Sequence, residues 1–488
     1  MDMLEAMQTG LFILFQPKYL AMLVAGVLMG SVVGFVPGIG GVVGVALLLP
    51  FTFFMPPEAS LPLIIGLVAV VSTADTIPCV LIGTPGSAGS QATILDGYPL
   101  AQQGHAGMAL GAAFFVSGVG GVIGALMLSV SVPIFKPLVM SFGISEFLAM
   151  SFLGLSMVAV LSGGSPLRGI IAAGLGVLIA MIGPDPINTI GRWYMGTPYL
   201  LAKLNVVAVA LGLFGIPELV DLAVRGTQIV RDSDRKIERK FSGVQEAFRH
   251  KRLVLGSSII GAWIGFLPGM GTVVANWVSY SCAVMLCKPN DKFGKGDIRG
   301  VIAPESANNA SVGGALIPTL AFGIPGSTIM ALLLAALWIQ GITPGHDLLT
   351  GKLHLVYLII WSLAFANILG ALLAYFFTNQ IAQLTRVPIH LLAPLILVPI
   401  FGGALLATNN IGDVIVLLIF GVIGWIMKHL GWPRPAMVLG FVLGPVMEKY
   451  YFQTTMVYDS SWVFRPIVLV ILALTALGVF FGFKLRPK

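Results

Sequence analysis

The sequence predicts an all-α polytopic membrane protein with about ten to twelve spans. It further predicts two structural repeats, inverted relative to one another, each holding a Pro-Gly helical hairpin and a broken helix. Three observations lead there. Of 488 residues 57% are hydrophobic and only 10% charged, with a mean hydropathy of +0.96, so there is too little polar surface to cover a water-soluble globule. The apolar residues form long continuous segments rather than the short alternating ones of a β-barrel. And two Pro-Gly motifs each occur twice, in the same order.

Along the chain the apolar segments fall at 20–55, 61–82, 107–131, 143–161, 168–183, 200–224, 252–287, 308–338, 353–378, 388–407, 411–428, 434–447 and 466–485. Asp2 and Glu5 precede the first, where a secretory leader would carry a basic cap, so uncleaved first spans are expected. Between 225 and 252 the composition changes to nine Lys or Arg and four acids. The positive-inside rule assigns that linker to the cytoplasm, between a first half at 1–224 and a second at 253–488. The loop 288–299 is also basic, which puts both ends of segment 252–287 on one side. As one helix those residues would reach ~54 Å, against a hydrocarbon core of ~30 Å, so the segment is expected to double back. Its interior break is "GFLPGMG", with Pro268 and Gly269 at the tip; "GFVPGIG", with Pro37 and Gly38, is the same object in segment 20–55. No Lys or Arg lies between Lys18 and Lys136, which suggests that the early loops of the first half face outward and that the halves are inverted.

The second motif pair is "IPCVLIGTPGS" at 77–87 and "IPTLAFGIPGS" at 317–327, 240 positions apart where the first pair is 231 apart. A helix interrupted in mid-membrane exposes backbone groups that lipid cannot satisfy, so such a break must line an enclosed or hydrated cavity. In secondary transporters half-helix amides face anions while freed carbonyls and hydroxyls hold cations. On that logic Thr84, Gly86, Ser87, Ser90, Gly326, Ser327 and Thr328 are candidate contacts for an anionic substrate, together with the amides Asn276, Asn308 and Asn309. Asp75, Thr76, Ser311 and Asp413, polar groups in apolar spans, are candidates for a coupling ion, sodium or a proton. The Pro-Gly tips are expected to shape the cavity rather than touch substrate.

Other classes are disfavoured. No Walker motif supplies an ATPase, no His/Cys cluster suggests a metal, and no nucleophile-base pairing suggests an enzyme. The net charge of +7 belongs to membrane topology and not to nucleic acid. Cys79, Cys282 and Cys287 read as small buried hydrophobes, His105 as a loop residue, and Arg168 and Arg192 as span-end anchors. A gradient-independent anion channel or facilitator is the rival to a coupled transporter.

The stretches "GVLMGSVVGFVPGIGG", "IGTPGSAGSQATILDGYPLAQQGHAGMALG", "GFLPGMGTVVANWVSYSCA", "FGKGDIRGVIAPESANNASVGGALIPTLAFGIPGS" and "ALWIQGITPG" resemble the large membrane subunit of the tripartite tricarboxylate transporters, the TctA family, over roughly 20–450. The resemblance implies a cation-driven symporter importing a carboxylate across the bacterial cytoplasmic membrane. It implies two partners, a small four-span membrane subunit and a periplasmic solute-binding protein. Where the family has a Tyr-Gly-Gly-Ser type stretch and an Asn before its first Pro-Gly, this chain reads "STADTIPCVLIGTPG". Substrate or cation binding around Asp75 and Thr84 is therefore expected to depart from citrate-type members.

Overall fold

The computed structural model describes residues 2–36, 40–52, 54–161, 165–185, 187, 189–225, 240–268, 270–289, 292–384, 397–398, 400–405 and 408–484. The tip residues Pro37, Gly38 and Gly269 and linker positions 226–239 lie outside these. Among the described residues the regular structure is helical apart from a two-residue antiparallel pair, Gly183–Pro184 with Gly191–Arg192.

After α1 (Met3–Leu14), the first hairpin is α2 (Pro17–Phe35) and α3 (Gly40–Thr52), followed by α4 (Pro57–Ala74) and α5 (Thr76–Ile82). A polar connection holds α6 (Ile94–Gln102) and leads to the long α7 (Ala106–Met140). A second group comprises α8 (Ile144–Leu161), α9 (Pro166–Ala180), α10 (Pro198–Leu201), α11 (Val206–Ala210) and α12 (Ile216–Arg225), with a π turn at Leu211–Gly215. Past the basic linker come α13 (Lys240–Arg249), the second hairpin α14 (Lys251–Phe266) and α15 (Gly271–Leu286), then α16 (Arg299–Phe322) and α17 (Thr328–Ile339). The remaining helices are α18 (His346–Thr350), α19 (Leu353–Leu384), α20 (Ile411–His429), α21 (Arg434–Tyr458) and α22 (Pro466–Lys484).

Helices α14 and α15 pack on each other across the break at Pro268, as do α2 and α3 across 36–40, so both segments reverse direction. Each hairpin leans on the broken helix that follows it, through glycines one turn apart. A Cβ built on Gly30 or Gly34 of α2 would lie 2.5 or 2.6 Å from the carbonyl oxygens of Leu67 and Val71 in α4. On Gly261 or Gly265 of α14 it would lie 2.3 or 2.2 Å from those of Ala307 and Ser311 in α16. Only hydrogen side chains permit this approach, the small-residue packing that replaces hydrophobic drive in lipid.

The described helices long and apolar enough to span a bilayer number five, or six if the pair Arg434–Phe464 and Pro466–Phe480, bent by 72°, counts as one span. Ten to twelve were expected; among the described residues several further apolar segments form shorter helices, among them α3, α9, α15 and α17. The 13 residues of α3 and the 16 of α15 reach only ~20 and ~24 Å, less than the hydrocarbon thickness.

Two elements form the centre. The continuous stretch Pro57–Ile82 has every residue of its span buried inside the protein, and α16 is buried from Gly300 to Ala321. Burial all round requires a helix with protein on every side. The long helices supply it: α7 packs along α16, and α19 packs along α4 and crosses α7.

The connection after the first broken element is tied to the loop before α16. Asp96 is fully buried, accepts from the Gly296 and Asp297 amides (2.9 and 2.8 Å), and takes the Tyr280 hydroxyl on its other oxygen (2.9 Å). Asp297 itself has its carboxyl below the usual 3.8: burial opposes ionisation, but the Arg299 guanidinium and amide overcome it. Asp96→Ala is expected to leave two amides and a hydroxyl without an acceptor, at ~1–3 kcal/mol for each group that stays dry. Limited trypsinolysis should then cut faster at Lys292 and Lys295, and an unchanged cleavage rate would contradict this role for Asp96.

Candidate functional site

The break in the first central element occurs in steps. The helix pauses at Asp75, whose backbone remains right-handed (φ −66°, ψ −14°), and ends at Gly83 in the left-handed region (φ 65°, ψ 22°). Thr84 and Pro85 cross the gap, and Ser87 (φ −136°, ψ 170°) caps a short 3-10 turn at Ala88–Ser90. In the second element Gly323 has φ 68° and ψ 21°, and Ser327 (φ −151°, ψ 172°) caps α17 through Met330 N. The likeness extends to side chains. Gly86 is pressed against Asp75, and Gly326 against Ala315, each leaving 2.7 Å between a built Cβ and the opposing Cα. Cys79 Sγ donates to the Asp75 carbonyl (3.1 Å) as Thr319 Oγ1 does to that of Ala315 (2.6 Å).

Two carboxylates sit in this centre. Glu305 of α16 is fully buried; Thr93 Oγ1 donates to its Oε1 (2.5 Å), and Thr76 and Ser117 donate to its Oε2 (2.6 and 3.4 Å). Asp75, also fully buried, accepts from the Ser87 hydroxyl on Oδ2, while its Oδ1 has no hydrogen-bond partner. Neither takes part in an ion pair among the described residues. Beside them lie the two asparagines of α16. Asn308 Nδ2 donates to Ser72 O (3.1 Å), and Asn309 Nδ2 donates to Thr73 Oγ1 and Asn367 Oδ1 (2.8 Å each). Both side-chain carbonyl oxygens, Asn308 Oδ1 and Asn309 Oδ1, are buried without a donor. The centre is therefore rich in acceptors and short of donors, an arrangement suited to a cation and not to an anion.

The residues singled out in the sequence separate into groups. Asp75, Thr76, Ser87, Asn308 and Asn309 come together in this centre, with Gly86 packed behind Asp75. Thr84 is exposed, and Ser327 and Thr328 are half-buried at the second break beside the buried Gly326. Ser90 and Asn276 are fully buried in framework bonds: Ser90 Oγ accepts from Cys79 and donates to Ser87 O, and Asn276 bridges Ala92 N to Pro304 O. Ser311 bonds back to Asn308 O within its own helix (2.7 Å). Asp413 lies apart, at the start of α20, where Tyr199 and Thr408 hydroxyls donate to its two oxygens (2.5 Å each). Pro268 stands at the second hairpin tip, and Pro37, Gly38 and Gly269 fall outside the described residues. Arg192 pairs with Glu448 and Arg168 donates to Leu430 O, so both tie helices together; His105 is exposed ahead of α7.

Glu305, Thr93, Ser117, Thr73 and Asn367 were not singled out in the sequence. Single hydroxyls in apolar helices carry no distinguishing signal, since most bond to their own backbone. The run "PESANNAS" inside what becomes a wholly buried helix was the available sign.

The sequence pattern of the tripartite tricarboxylate transporter TctA family matches residues 20–439. An uncharacterized 52.8 kDa protein in the TAR-I ttuC' 3' region of Agrobacterium vitis is 32% identical over 453 residues, 92% of this chain and 89% of that protein. An uncharacterized protein in the TAR-II ttuC' 3' region of the same organism is 37% identical over 190 residues, 39% of this chain and 78% of its own length. No solved structure matches the chain. The family description is of a transporter, which points away from catalysis, and of a tripartite system, which implies further subunits. With a family match over most of its length and a multi-pass helical architecture, the chain belongs to the tripartite tricarboxylate transporter TctA family.

Proposed function

We propose that this chain is the permease of a binding-protein-dependent symporter that imports a tricarboxylate or related carboxylate across the bacterial inner membrane, driven by sodium or protons. The observation that carries the reading is the pair of matched breaks, Gly83 to Ser87 and Gly323 to Ser327, at the ends of the two wholly buried elements. A carboxylate would meet the exposed Thr84 hydroxyl, the half-buried hydroxyls of Ser87, Ser327 and Thr328, and the free amides at the start of α17. The acceptor-rich centre behind them would hold the cation that offsets the substrate's charge, since an uncompensated carboxylate in low dielectric is costly. Asp413, with both oxygens bonded in a separate cluster, has no part in this reading.

The architecture proposed for it is a duplicated one, with residues 1–224 and 253–488 as halves of opposite orientation about the linker 225–252. Positions 240 apart meet each other, as Asn309 Nδ2 does Ala69 O (3.4 Å), which is what positions beside a two-fold axis do. Gly30, Gly34 and Gly40 in one hairpin match Gly261, Gly265 and Gly271 in the other, Gly40 and Gly271 at φ 60° and 61°. The partners proposed are a small four-span membrane subunit and a periplasmic solute-binding protein.

Co-reconstitution with both partners in liposomes tests the reading. An imposed sodium or proton gradient should drive labelled citrate or a related carboxylate above equilibrium. Uptake that only equilibrates would establish the facilitator instead.

A further inference from the structure

We propose that Asp75 Oδ1, Asn308 Oδ1 and Thr272 Oγ1 form a single site for a dehydrated monovalent cation of the sodium class, packed against Gly89. This deepens the symport reading and rests on it. The first ground is the unpartnered oxygens. Asp75 is 0% exposed and Asn308 1%, each with one oxygen that receives no hydrogen bond. The amide of Asn308 is oriented by its donation to Ser72 O, so the orphan is the carbonyl end. Both orphans are acceptors, which a cation satisfies and an anion would not.

The second ground is a cradle. Gly89 N donates to Ser87 Oγ (3.1 Å), and that hydroxyl donates to Asp75 Oδ2, which joins Gly89 to the carboxylate. A Cβ built on Gly89 would lie 2.6 Å from Thr272 Oγ1 and 3.0 Å from Asn308 Oδ1. Gly89 is thus pressed close to two oxygens from different elements, at the start of α15 and the middle of α16, and its backbone brings Thr272 Oγ1 and Asn308 Oδ1 to one place.

The third ground is the other half of the chain. Displaced by 240 or 231 positions, Asp75, Gly89, Asn308 and Thr272 correspond to Ala315, Ile329, Val68 and Gly41. There the geometry is kept and the chemistry is not: a Cβ on Gly41 would lie 2.8 Å from Ile329 Cδ1. An apolar side chain fills on one side the place that oxygens surround on the other.

Among the three proposed ligands Asp75 carries the one negative charge and the other two oxygens are neutral, which matches a single positive charge, while Glu305 spends its oxygens on three hydroxyls. Carboxylate, amide carbonyl and hydroxyl are hard ligands, as an alkali ion prefers. Because Thr272 sits in the first turn of α15, occupancy would fasten the second hairpin to the first broken element. That gives the ion a structural means to prepare the substrate site.

Thermal unfolding of the purified chain in sodium, potassium or choline chloride at equal ionic strength, repeated across pH, tests the site without transport. Sodium should raise the midpoint saturably and potassium much less, because a ligand of the folded state stabilises by mass action. In Asp75→Asn and Gly89→Ala the apparent sodium affinity should fall at least about tenfold, and the added methyl of Gly89→Ala should also lower the midpoint in choline chloride, since it meets Thr272 Oγ1 and Asn308 Oδ1. If Gly89→Ala does not fold, Thr272→Val removes one ligand oxygen at nearly constant shape. Asp413→Asn should keep the sodium increment. Equal increments in wild type, Asp75→Asn and Thr272→Val would overturn the proposal, as would stabilisation that follows pH and ignores sodium. A sodium increment without any gradient-driven uptake would uphold the site and sink the symport reading; driven uptake without the increment would do the reverse.

Discussion

Glu305→Ala is expected to cost ~2–5 kcal/mol of folding stability, the largest effect of any single side chain in the polar centre. The substitution removes buried methylenes and leaves Thr76, Thr93 and Ser117 hydroxyls without their shared acceptor, in a helix that water does not reach. Glu305→Gln keeps the shape and one strong acceptor, and its hydroxyl partners can rotate to accept from the new amide, so less than half of that loss is expected. The thermal midpoint for loss of monodisperse protein in detergent measures both. Equal midpoints for Glu305→Ala and wild type would mean that the hydroxyl cluster contributes nothing to the fold. Carboxylate uptake should fall in both variants, because Glu305 sets the position of Thr76 next to Asp75.

Gly314→Val is expected to be as damaging for a different reason. A Cβ at this position would lie 2.0 Å from the Ala262 carbonyl oxygen, so α14 and α16 must part before any side chain fits. Overpacking typically costs ~1–3 kcal/mol when side chains can yield, and here the obstacle is backbone. The hairpin would lose its seat, and with it the contacts of Asn276 and Ser279 on α16. Gly256→Ala on the outer side of α14 is the control, since a Cβ there meets nothing within 4 Å. Expression and gel-filtration yield should collapse for Gly314→Val and hold for Gly256→Ala; similar yields would show that the contact is not tight in solution.

These two cases show which parts of the centre were visible in the sequence. Gly34 and Gly265 stand in the quoted Pro-Gly motifs, so the residues of the hairpin packing lay within two short stretches that the sequence itself matches. Gly314 and Glu305 stand in the run that leads to the second break, of which only Asn308, Asn309 and Ser311 were assigned a part from the sequence. Asp75 was selected because an acid in an apolar span is expensive wherever it lies. Asp413 was selected by the same rule, yet two hydroxyls bond it in another cluster. Cost identifies a buried acid but not its partners, which come from segments up to 229 positions away, as Glu305 is from Thr76. Ser90 and Asn276 show the converse, polar residues near a break whose bonds are all spent on framework.

The span count has a similar cause. Hydropathy measures apolar length along the chain, and it sums both arms of a hairpin that turns back in mid-depth. Of the helices formed by 20–55 and 252–287, only α2 is long and apolar enough to cross; α3 and α15 are short apolar helices.

By itself the sequence determined the membrane class, the helical architecture, the two reversals at Pro-Gly breaks and the family. Each of these follows from composition, length or motif order, properties that are local or additive along the chain. Only the tertiary structure decided that Glu305 gathers three hydroxyls, that Asp75 and Asn308 keep unpartnered oxygens, and that Gly89 lies close against Thr272. Whether a buried polar atom is satisfied depends on neighbours that distant helices bring within 3 Å, and no periodicity in the chain encodes that distance.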